Sequence, residues 1–216
     1  MKRTLLILAV AILACAPFVT AQTGGTISLS GNTLESYSLT NAGGTTITAA
    51  GVAFTDLTPV LSQALVTNES VLGYLRSNHK YKLSAQVTAN SGFGGQTDAG
   101  DNIALSDIGF GIRGLVTTGT NVVNPASHVV VTKFNYVSTG WPAATTGVTP
   151  FVAGTNGTLN DITGDTQILS GSRISKLGNI ANPDNAIQLT FGFAVLPQYF
   201  SPNSFTATIT LTIAAN

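Results

Sequence analysis

Apolar and polar residues alternate with a period of two in one segment after another of this chain. Tyr81, Leu83, Ala85 and Val87 alternate with Lys82, Ser84, Gln86 and Thr88, and Ile108, Phe110 and Ile112 are separated by Gly109 and Gly111. Ile187, Leu189, Phe191, Phe193 and Val195 alternate with Gln188, Thr190, Gly192 and Ala194. The most regular case closes the chain, with Phe205, Ala207, Ile209, Leu211 and Ile213 on one face and Thr206, Thr208, Thr210 and Thr212 on the other. Side chains of a strand point alternately to its two faces, so each segment predicts a half-buried strand. Thr26–Ser30 repeats the pattern briefly, Val129–Tyr136 does so less regularly, and weaker strands are expected near Leu34–Leu39, Thr45–Phe54 and Gln167–Ser175. Many short strands between Gly-, Asn- and Pro-rich breaks specify an all-β fold, expected to be a single antiparallel β-sandwich of Ig-like or jelly-roll type. Ser204–Ile213 and Ala186–Val195 are expected to pair as its central hairpin.

One stretch departs from period two. In TNESVLGYLRSNHKY, Thr67 or Asn68 can cap a helix, Glu69 suits its first turn, and Val71, Leu72 and Leu75 fall at helical spacing. The expectation is one short helix near 68–76, weakened by Gly73 and ended by Ser77-Asn78; the competing reading is a strand from Ser70 to Leu75. Long polar loops separate the strands, the longest being STGWPAATTGVTPFVAGTNGTLNDITGD, and loops of that size are commonly functional.

Composition narrows the setting. Lys2 and Arg3 precede an apolar run from Thr4 to Ala14, and Val19-Thr20-Ala21 offers a small-residue cleavage site before Gln22. Residues 1–21 therefore read as a secretory signal peptide, and residues 22–216 as one mature domain. Cys15 also permits a lipoprotein reading, with a lipid attached there. It is the chain's one cysteine, so no internal disulfide is possible and stability must come from burial and backbone pairing. Only 8% of residues are charged, nine basic against nine acidic. That scarcity argues against nucleic acid as a partner, and it leaves little repulsion to oppose self-association. Secretion to the extracellular space or cell surface is the expected location.

The inventory for catalysis is short. Two histidines, His79 and His128, stand apart, no G-x-S-x-G elbow occurs, and no H-E-x-x-H helix is present. The expectation is a protein that is not an enzyme and carries no cofactor. Among the carboxylates, Asp98, Asp101 and Asn102 share one loop, Asp107 begins the next strand, and Asn160, Asp161 and Asp165 share another loop. Hard oxygen ligands of this kind could hold Ca²⁺, with Asp98, Asp101 and Asp107 as the candidate set; Asp and Asn also serve simply as turn formers. Trp141, with Phe151 nearby, and the pair Tyr199-Phe200 are the candidate binding aromatics, able to stack on a sugar or anchor a protein; the competing reading has them cover the open ends of the core. Asn68 and Asn156 open glycosylation acceptor patterns.

The segments YFSPNSFTATITLTI and AIQLTFGFAVLP resemble the closing hairpin of secreted bacterial Ig-like sandwiches of the fimbrial-subunit and spore-coat-protein-U type, and LRSNHKYKLSAQV is similar to a strand entry among such proteins. The cysteines usual in those families are absent, and no functional residue carries across. The resemblance implies a structural subunit of a surface or fibre that self-assembles by adding a strand to its neighbour's sheet. Gly24–Leu39 and the terminal strand are the two segments that could be exchanged; the competing reading is that both complete the chain's own sandwich. The alternative is a secreted carbohydrate- or protein-binding module.

Overall fold

The computed structural model describes residues 29–31, 33–41, 43–47, 53, 54, 57, 64–94, 102–117, 127–143, 150–176, 185–200 and 203–216. The chain divides into two units, residues 1–34 and residues 35–216, and every strand below belongs to the second. The strands are β1 (Tyr37–Thr40), β2 (Val66–Ser77), β3 (Tyr81–Ser91), β4 (Ile108–Thr117), β5 (Val129–Val130), β6 (Thr166–Gly171), β7 (Ile187–Val195) and β8 (Thr206–Ala215). They form two antiparallel four-stranded sheets, in the orders β1-β2-β7-β4 and β5-β6-β3-β8. The protein is an all-β sandwich. Its inner ladders nest β3–β6 within β2–β7, the winding of a jelly roll, while β1 and β5 pair with their chain neighbours β2 and β6.

The alternation explains the layers. Ile108, Phe110 and Ile112 of β4, with Ile187, Leu189 and Phe191 of β7, meet Tyr81, Leu83, Ala85 and Val87 of β3 in one buried cluster. Phe110 lies near its centre, stacked on Phe191 at 6.4 Å and edge-on to Phe134 at 6.2 Å. Burying a large apolar side chain contributes about 1.5–3 kcal/mol, and this cluster stands where a disulfide would otherwise be needed.

Two expectations are corrected. Residues 66–77 are the long strand β2 rather than a helix near 68–76. β2 carries one extra residue between Asn68, opposite Phe193, and Val71, opposite Phe191, but from Val71 to Leu75 its register is unbroken; positions four apart, such as 71 and 75, are in step with a strand's period of two as well as with a helix, so that spacing fits either element. The only α-helix among the described residues is α1 (Tyr136–Thr139), within the long loop. The expected hairpin is also absent. β7 lies between β2 and β4, whereas β8 pairs with β3 in the other sheet, Leu83 opposite Ile213 and Ala85 opposite Leu211. The chain therefore changes sheets between β7 and β8.

Candidate functional site

Asp107 closes a short 3-10 turn (Leu105–Asp107), its Oδ2 accepting the Ala104 N–H at 2.8 Å. Burial raises its pKa and that hydrogen bond opposes the rise. Asp98 and Asp101 lie outside the described residues. Among the described residues no three His, Cys, Asp or Glu side chains come together as a metal site. Asp161 braces the end of the long loop. It accepts from the backbone N–H and the hydroxyl of Thr158, each at 2.9 Å, and pairs with Lys133 at 2.9 Å. Burial alone would raise its pKa, but these donors overcome it and hold the carboxyl below its ordinary range.

The aromatics take separate places. Trp141 is half-buried against Tyr136 at 4.2 Å between ring centroids and edge-on to Phe151 at 6.4 Å, with the Arg113 guanidinium 5.8 Å from its ring. Arg113 is fixed in turn by Glu69 at 2.6 Å and by the Tyr136 carbonyl. Gly111 and Gly192, on the face of β4 and β7 that points away from the core, leave the room these rings occupy. Tyr136 donates to the Gly157 carbonyl at 3.0 Å, and burial pushes its hydroxyl up to about 12. Phe200 packs against the core, whereas Tyr199 is 87% exposed. Trp141 and Phe200 thus serve packing, and only Tyr199 of the three stands open to solvent.

His79 sits 3.6 Å from Glu35 at the surface, and the His128 ring shares a 3.0 Å hydrogen bond with the Tyr81 hydroxyl. The hydrogen bonds and ion pairs just described hold loops and strands together.

No known family matches the sequence, and no curated protein does. The fold itself must then point to the site.

The edges of the two sheets do so. An edge strand carries a row of unpaired N–H and C=O groups and is a template for another chain unless it is short, charged, kinked or covered. β1 has four residues, and Thr46 bridges to Thr40 while the Ile47 N–H bonds the Leu39 carbonyl along its far side. β5 has two residues. β4 has ten, but the loop lies along it: Thr158 bridges to Gly109, Asn135 to Ile112, and the Phe110 N–H bonds the Gly157 carbonyl. β8 also has ten residues, and among the described residues no backbone pairs with its outer side. It contains no proline and no charge, and no charged side chain follows Asn185 in the chain. The extra residue in its ladder with β3 falls on β3, between Val87 and Ala89, so β8 itself runs without a kink.

The faces of β8 are unlike. Thr206, Thr208, Thr210 and Thr212 are exposed, and two are tied across the ladder: Thr210 to Thr88 at 3.1 Å and Thr206 to Ser91 at 2.8 Å. Ala207, Ile209, Leu211 and Ile213 face the core but are only partly buried, whereas Leu83 and Ala85 opposite are fully so. The core is unfinished along this margin. Sequence reading singled out β8 as a strand; that it is an edge could not be read, because edge status depends on which sheet a strand joins.

Proposed function

We propose that this protein is a structural subunit, exported to the cell surface or extracellular space, that assembles with other copies by extending its β-sheets and performs no catalysis. The observation that carries the reading is β8: ten residues of neutral strand edge with a partly exposed apolar margin, in a sandwich whose other edges are short or covered. A strand added there gains main-chain hydrogen bonds and seats alternate side chains against the core. Low charge favours such association, and the resemblance to secreted fimbrial-type sandwiches points the same way. Of the N-terminal segment expected to exchange, Tyr37–Leu39 lies in β1 of this chain's own sheet, and Glu35 and Ser36 are held by His79 and Asn78, which leaves residues 24–34 for donation. Leu29 and Leu34 within it are 98% and 82% exposed and lie outside any strand.

A second reading, a secreted carbohydrate- or protein-binding module, keeps one supporting observation, the exposed Tyr199. Sizing and negative-stain microscopy of protein beginning at Gln22 test the first reading. Dimers or longer assemblies that grow with concentration are expected; a protein that stays strictly monomeric at millimolar concentration overturns it.

A further inference from the structure

We infer that the β8 edge is a homodimer interface, in which β8 of one copy pairs antiparallel with β8 of a second about a two-fold axis. The inference rests on the assembly reading and names its partner.

A second copy is the occupant because β8 is long and uncharged and carries its partly buried apolar residues on one face, so that two such edges cover one another. A two-fold contact places residue i opposite j and j opposite i, so the residue numbers of every facing pair share one sum. When that sum is even, odd residues meet odd residues. Ala207, Ile209, Leu211 and Ile213 then meet their own kind on the core side, and the threonines meet threonines on the outer side. The partly exposed margin of one core is covered by that of the other, and the two four-stranded sheets become one of eight. No charge on either strand opposes the approach. Antiparallel pairing is also the slightly stronger ladder, and it closes on itself instead of propagating. Residues 24–34 fit the same edge less well. They carry Ile27 and Leu29 at strand spacing, but the next positions in step, Gly31 and Thr33, offer nothing apolar.

Cysteine placement tests the pairing, since protein beginning at Gln22 contains no cysteine of its own. Thr208→Cys, Thr210→Cys and Thr212→Cys each alter an exposed side chain, which leaves folding undisturbed. Directly opposed residues in an antiparallel ladder have Cα atoms about 4.5–5.5 Å apart, within disulfide reach, while diagonal neighbours lie at about 7–8 Å. The three variants, oxidised singly and in pairwise mixtures, should therefore cross-link only in combinations that share one even sum. Thr210 with itself and Thr208 with Thr212 is one such set; Thr208 with Thr210 belongs to another. The expected yield is at least tenfold above that of Thr88→Cys, which lies on the same face one strand in from the edge. Thr210→Lys should weaken dimerisation at least tenfold by sedimentation without lowering the melting temperature.

Assemblies that persist with no cross-link in any combination would overturn the β8 pairing and leave the assembly reading standing, with residues 24–34 of a neighbour as the next occupant. Cross-links scattered over several sums would overturn the fixed two-fold register. A monomer that neither associates nor cross-links would overturn both, and would mean that the edge is covered by this chain's own segments or serves another partner.

Discussion

A methyl group on Gly111 would stand 2.5 Å from the Phe134 carbonyl oxygen and 2.6 Å from the Tyr136 ring. One of these neighbours is backbone and the other a fully buried ring, so neither can swing aside. Gly111→Ala is expected to cost about 1–3 kcal/mol, the usual range for overpacking, and to lower the melting temperature. The loss should leave dimerisation unchanged, because Gly111 lies on β4 in the sheet that does not contain β8. An unchanged melting temperature would mean that the aromatic cover is loosely held. At this scale much was legible in the sequence. The odd residues from Tyr81 to Val87 and the even ones from Ile108 to Ile112 are buried as alternation required. The role of Trp141 was not legible, because a glycine in a strand does not announce which distant ring will lie over it.

Between residue and molecule, the described part of the long loop, residues 132–143 and 150–162, acts as an element in its own right. It sends Phe134 into the core, lays Tyr136 and Phe151 near the glycines of β4, and closes the β4 edge with hydrogen bonds. Asp161 anchors its far end by joining Lys133 to Thr158. Asp161→Ala should destabilise the fold by about 1–2 kcal/mol at neutral pH, the range for losing a charged turn cap. Its pKa is lowered in the folded state, so the stabilisation is present above the ordinary carboxyl value of about 3.9 and lost as pH falls through the folded value. The gap between wild type and variant, measured by urea unfolding, should accordingly narrow below about pH 4. A gap that stays constant into acid would show that Asp161 acts by packing alone. Elements were less legible than residues. β2 was hidden because residues four apart, such as Val71 and Leu75, are in step with a strand as well as with a helix, and the covering loop was hidden because its bonds join residues far apart in sequence. The partners of β7 and β8 were hidden as well: proximity in sequence favours a hairpin, but the two strands belong to different sheets.

At the scale of the whole molecule, β8 completes one sheet and supplies Ala207, Ile209, Leu211 and Ile213 to the margin of the core. Protein ended after Asn203 should therefore show no cooperative thermal transition; a sharp melt would mean that β3 and β6 form a stable sheet without it. The pairing of β3 with β8 has a further effect, on timing. Leu83 and Ile213 are neighbours across a ladder yet roughly 130 residues apart along the chain, and few local contacts offset so long a loop closure. Folding should be slow, since β3 waits with one side unpaired until β8, roughly 130 residues further along, has been made. A ladder left open across so long a stretch of chain is a surface that other polypeptides can reach first.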